Sequence, residues 1–160
     1  MRKTALFALS LSLFAATACG QGQAGRDAHI SHAPNGDLRE VTASAETLPS
    51  FLDGHSDAVQ LAYRVAGTLD DTLEWIPCYC GCGGSAGHRS SLNCFVSEIR
   101  EDGSVEWDDH GTRCNVCVQI AVESAQMKQQ GKTNLEIREQ IDEKYRSGYA
   151  DPTDTPLPTA

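Results

Sequence analysis

Apolar residues in the middle of the chain recur mainly at helical spacing. Ser56 is a candidate N-cap for a helix from about Asp57 to Leu69, with Val59, Ala62, Val65, Ala66 and Leu69 on one face. Gln60, Arg64 and Thr68 lie outside that stripe. Leu73, Trp75 and Ile76 follow Asp70 and Asp71 as a short second helix, which Pro77 stops. After Gly87, the apolar residues Leu92, Phe95 and Val96 mark another short helical piece. The segment from Ser97 to Asp109 is acidic and carries the turn signal Asp102-Gly103 between two weakly alternating stretches. It admits a small hairpin or an irregular excursion, and reads as a loop. The best helix runs from about Arg113 to Gly131, with Cys117, Ile120, Ala121, Ser124, Ala125 and Lys128 on one face and Cys114 one turn earlier. Thr133 with Glu136 is a capping box for a last helix, along which Ile137, Ile141 and Tyr145 form a stripe. The pattern predicts a mostly α fold: a single small helical domain of about four helices with a Cys-rich loop, over residues 50–148, flanked by disordered tails.

The ends are read differently. Residues 1–18 have the form of an export signal: Arg2 and Lys3, an apolar run from Ala5 to Ala16, then Ala16-Thr17-Ala18 as a small-x-small cleavage site. The run is short for a membrane span. Cys19 follows directly and resembles a lipobox cysteine, whose thiol would carry a lipid; plain secretion with a free thiol is the alternative. Lipidation of Cys19 would leave an even six of the seven cysteines for the folded part. Residues 19–49 are polar and aperiodic, the composition of a tether, and residues 149–160 hold three prolines without an apolar period. The expected location is the cell envelope, anchored to a membrane through Cys19, or else secreted or periplasmic and soluble.

A net charge of -9 argues against a nucleic-acid partner, whose phosphates it would repel. There is no nucleophile elbow, phosphate loop or H-E-x-x-H, and Glu98, Glu106, Asp108 and Asp109 read as a solvated charge run. Nothing assigns a substrate to catalysis.

What is unusual is the stretch Pro77-Cys78-Tyr79-Cys80-Gly81-Cys82-Gly83-Gly84. In extended backbone Cys78, Cys80 and Cys82 share one face, and the glycines let the chain turn around what the sulfurs hold. Cys94 and the pair Cys114-Asn115-Val116-Cys117 follow. Three readings stand. The first is a soft-metal site for copper(I) or zinc through Cys78, Cys80, Cys82, Cys94, Cys114 and Cys117. His88 and His110 are further ligand candidates, whereas His29 and His32, in the polar stretch, read as solvated. Such a protein would buffer metal or transfer it, with a metal donor or acceptor protein as partner. The second is a disulfide scaffold, for which six cysteines allow fifteen pairings. The third is a thiol–disulfide oxidoreductase using Cys114 and Cys117 at a helix start, though the βαβ pattern that usually surrounds such a pair is missing.

The run Pro-Cys-Tyr-Cys-Gly-Cys resembles the signature of the PCYCGC-motif lipoproteins, also called the CYCXC family. The likeness extends through Gly87-His88, Leu92-Asn93-Cys94-Phe95, His110-Gly111 and Cys114–Cys117, then to the Gly131-Lys132 turn and the helix ending at Tyr145. It implies export, anchoring and one domain, and says little about a ligand. Some members are described as selenoproteins, which implies a chemically active chalcogen position; this chain has cysteine throughout.

Overall fold

The computed structural model describes residues 29–159. The export signal and Cys19 lie outside the described residues. Among these residues no helix is long and apolar enough to cross a membrane.

The sheet is the feature that the periodicity did not announce. β1 (Ile30–His32) and β2 (Leu38–Thr42) form an antiparallel hairpin with Ser31 opposite Arg39. β3 (Val96–Ile99) and β4 (Val105–Asp108) form a second, turned at Asp102-Gly103, where the Asp102 carboxylate accepts from the Ser104 amide and hydroxyl. β2 pairs antiparallel with β4, Glu40 opposite Trp107, so the spatial order is β1-β2-β4-β3. The expected mostly α domain is therefore corrected to an α+β fold, a four-stranded antiparallel sheet with five α-helices among the described residues. Two further expectations change with it. The second half of the expected tether supplies β1 and β2, and the acidic stretch expected as a loop is the β3–β4 hairpin.

The helices follow the apolar periodicity closely. α1 (Asp57–Thr68) starts after Ser56, whose hydroxyl accepts from the Val59 amide, and buries Ala62, Tyr63, Val65 and Ala66. α2 (Asp70–Leu73) is a single turn, and α3 (Gly83–Ala86) another within the cysteine loop. α4 (Asn115–Gln129) packs on α1, and α5 (Asn134–Tyr145) packs on α4 behind the Thr133/Glu136 capping box. A further short piece, Ser91–Cys94, is 3-10 rather than α, as is Asp109–Arg113 at the end of β4.

The sheet turns Val96, Val105 and Trp107 into the core, where Trp107, Tyr63, Phe95, Leu73 and Ile76 are fully buried. Glu40, which shares Trp107's rung, is buried too. Its carboxylate accepts from the amides of Ser50 and Phe51 and from the Ser50 hydroxyl, so its charge faces a short helix N-terminus instead of bare hydrocarbon. Tyr63 ties α1 to the sheet: its hydroxyl donates to the Asp108 carbonyl at 2.7 Å, and its ring meets Phe95 edge-on. Tyr63→Phe leaves that buried carbonyl unpartnered by the hydroxyl, so thermal denaturation should show a loss of about 1–2 kcal/mol.

Residues 149–159, within the expected disordered tail, run as an extended strap over the cysteine loop. The Thr153 amide donates to the Cys78 carbonyl, the Cys78 amide donates to Thr153 Oγ1, and the Ala150 amide donates to the Tyr79 carbonyl. Arg138 on α5 is almost entirely buried beneath the strap, and its Nη1 donates to the carbonyls of Thr155 and Pro156.

Candidate metal centre

Three separate segments deliver the six thiols. The first starts at Pro77, one turn beyond the end of α2, in extended form. Tyr79 points away from its neighbours, into a hydrogen bond from its hydroxyl to Asp142 Oδ1 at 2.6 Å, which leaves Cys78 and Cys80 on the opposite side. The alternation ends at Gly81, whose φ of +81° belongs to the left-handed region that a side chain disfavours. That turn brings Cys82 back beside Cys80 instead of carrying it onward. Gly83 is needed for another reason: a Cβ there would collide with the Thr153 methyl of the strap.

Cys94 ends the 3-10 turn Ser91–Cys94, which Ser91 holds to the first segment through hydrogen bonds to the Ile76 and Pro77 carbonyls. Cys114 is the residue capping α4, and Cys117 lies one turn inside it. These positions converge. Sγ–Sγ separations are 2.9 Å for Cys78–Cys80, 2.7 Å for Cys80–Cys82, 3.0 Å for Cys94–Cys117 and 3.2 Å for Cys114–Cys117. Cys78 lies 3.8 Å from both Cys94 and Cys117. The sulfurs of Cys78, Cys80 and Cys117, and those of Cys80, Cys82 and Cys114, form two groups, each with its atoms within 4.8 Å of one another. All six cysteines are free, and the shortest separation exceeds the S–S bond of about 2.05 Å.

The electrostatics of the cluster are uneven. Contacts from Cys114, Cys117 and Cys78 hold Cys80 far below the ordinary thiol range. Cys78 is brought down to about 5, chiefly through its contact with Cys117. The neighbours of these sulfurs move the other way: Cys117 is pushed up by Cys114, Cys78 and Cys80, and burial followed by the Cys80 contact pushes Cys82 up to about 12. Packed this closely, six sulfurs can all be thiolates only if a cation shares their charge.

Both histidines named from the sequence are at the cluster. His88 is buried, with Nδ1 3.4 Å from Cys94 Sγ. His110 meets it edge-to-face, ring centroids 4.6 Å apart. The contact with Cys80 and the carboxylate of Asp37 push His110 up to about 9. His32, by contrast, is exposed and faces only the Gly36 carbonyl.

Asp37 is the residue that sequence reasoning missed. It lies in the β1–β2 turn, within the expected tether, and is 5% exposed. His110 Nδ1 lies 2.9 Å from its Oδ2, Arg113 pairs with its Oδ1, and Asn35 donates to Oδ2. Burial raises its pKa, but His110, Asn35 and Arg113 outweigh that and hold the carboxyl below the ordinary range. Asp37, His88 and His110 also lie within 4.8 Å of one another. Asp37 faces two cationic groups, His110 and Arg113, and is placed to orient the His110 ring through Nδ1. Asp37→Asn should weaken metal retention about 10–100-fold in a chelator competition while leaving the thiol count unchanged.

Residues 7–158 match the family described as protein of unknown function with PCYCGC motif. The chain belongs to that family. No curated protein and no solved structure matches it. In this PCYCGC protein the signature hexapeptide supplies half of a six-sulfur cluster, and the other half comes from Cys94, Cys114 and Cys117.

Proposed function

We propose that this protein is an exported, lipid-anchored carrier of a soft metal ion, copper(I) or zinc, held by thiolates for buffering or for transfer to a partner protein. The observation that supports it most is the convergence of Cys78, Cys80, Cys82, Cys94, Cys114 and Cys117 from three segments, with no pair at bonding distance. A tetrahedral zinc–thiolate site with Zn–S of about 2.3 Å has sulfur–sulfur edges of about 3.8 Å. Cys78 stands at that separation from both Cys94 and Cys117. Soft thiolates select copper(I) and zinc over hard cations, and His88 and His110 add nitrogen for a mixed set. Export and the lipid on Cys19 rest on the signal-like residues 1–18 and the cysteine after them.

Disulfide exchange by Cys114 and Cys117 fits less well. The N-terminal thiol of a redox-active C-x-x-C pair is depressed in pKa, whereas the Cys114 thiol is raised.

The deciding experiment is elemental mass spectrometry on protein exported by its host and purified without chelator or reductant, with free thiols counted on the same sample. Stoichiometric copper or zinc, together with six thiols that become titratable once the metal is removed, is the expected result. Metal-free protein with all thiols paired would make it a disulfide scaffold, and a single readily reducible pair would make it a redox protein. Intact mass should also place the mature N-terminus at a lipid-modified Cys19.

A further inference from the structure

The six sulfurs divide by depth as well as by segment. Cys78, Cys94 and Cys117 are 1%, 0% and 0% exposed, and their sulfurs lie 3.0–3.8 Å apart. Cys80, Cys82 and Cys114 are all half-buried, and their sulfurs fall within 4.8 Å of one another. The two triangles are joined by the short contacts Cys78–Cys80 at 2.9 Å and Cys114–Cys117 at 3.2 Å. Imidazoles border the cluster as well: His88 Nδ1 lies 3.4 Å from Cys94 Sγ in the inner triangle, and His110 packs edge-on against His88 with ring centroids 4.6 Å apart. Cys80 belongs to both groupings, since it is also within ligand reach of Cys78 and Cys117.

We infer, building on the metal reading above, that the centre is binuclear: one soft ion sits in the buried Cys78/Cys94/Cys117 triangle, a second in the half-exposed Cys80/Cys82/Cys114 triangle, and the Cys80 sulfur bridges them. A single four-coordinate ion would leave sulfurs unused, whereas two ions engage all six. The environments differ in the way that separates structural from exchangeable metal. The inner triangle is closed by core side chains. The outer one lies on the turn through Gly81 to Cys82 and the first residue capping α4, where an incoming ligand can approach. The outer ion is the one handed on, and the inner ion holds the loop in place while this happens. Each sulfur that is still protonated releases its proton to solvent as it takes up metal, and no electron changes hands.

The test uses the full chain carrying Cys19→Ser, so that only the six clustered sulfurs are counted. It is loaded with copper(I), and separately with zinc, under anaerobic conditions. Native mass spectrometry should find two ions per chain, and excess chelator should remove them in two phases of equal amplitude. Cys82→Ser, a near-isosteric change at a half-exposed position, should leave one ion and abolish only the fast phase. The inference is overturned by one ion per chain in the parent, by both ions leaving in a single phase, or by loss of both ions on Cys82→Ser. A parent chain that binds neither metal defeats the metal reading itself, which these other outcomes leave standing.

Discussion

Cys117→Ser should empty most of the centre. Its sulfur lies 3.0 Å from Cys94, 3.2 Å from Cys114 and 3.8 Å from Cys78, so it touches both halves of the cluster. Serine keeps the shape but replaces a soft anionic ligand with a hard neutral hydroxyl, which neither copper(I) nor zinc favours. The residue is fully buried on α4, so the hydroxyl also loses water without gaining an assured partner. Metal retention should fall at least about 100-fold in chelator competition, beyond the loss expected for an orienting residue such as Asp37. Stability supplies an independent readout. A ligand present at 100 times its dissociation constant stabilises the native state by about 2.7 kcal/mol. The parent should melt higher with metal than without it, and in Cys117→Ser that difference should shrink markedly while circular dichroism still reports folded protein. A variant holding the parent's full metal complement would show that Cys117 is a packing residue and that the centre lies elsewhere.

How far the sequence spoke for the structure depends on where the stabilising interactions come from. α1, α4 and α5 were legible because their apolar stripes and caps are local, Ser56 before α1 and Thr133/Glu136 before α5. The cluster was legible because three thiols at alternate positions and a C-x-x-C pair need an explanation wherever they occur. The sheet was not. Its strands are short, β1 is exposed along its whole length, and β2 buries a glutamate where an apolar residue would have signalled a strand. Cross-strand pairs such as Arg39 with Asp108 stabilise it, and these join residues far apart in sequence. Asp37 was hidden for the same reason: only the pairing of β2 with β4 brings its turn beside His110. The strap has the composition of an unstructured tail, and its order comes largely from partners on the loop and on α5.

Ending the chain at Tyr149 should loosen the metal centre although no ligand is removed. The strap satisfies both backbone groups of Cys78 through Thr153, and Thr155 Oγ1 donates to the Arg89 carbonyl beside His88. Without it, the Cys78 amide and carbonyl lose their partners. Arg138, whose Nη1 also donates to the Trp75 carbonyl, loses two of its acceptors in a nearly closed site. Each such hydrogen bond contributes about 0.5–1.5 kcal/mol net, and those to the guanidinium about 1.5–3. Ordering the strap offsets part of this, so the truncated chain should be less stable by about 2–4 kcal/mol in thermal or urea denaturation. The position of the loop makes the effect functional as well. Freed of Thr153, the Cys78–Cys82 segment can swing about the left-handed Gly81, so metal should leave faster than from the parent at the same chelator concentration. Thr153→Val separates the hydrogen bond from the packing, because it removes Oγ1 and keeps the branched shape that fills the space beside Gly83. It should reproduce the faster release with a smaller stability loss, about 1–2 kcal/mol. Truncated protein that melts with the parent and releases metal at the parent's rate would show that the strap merely lies on the loop.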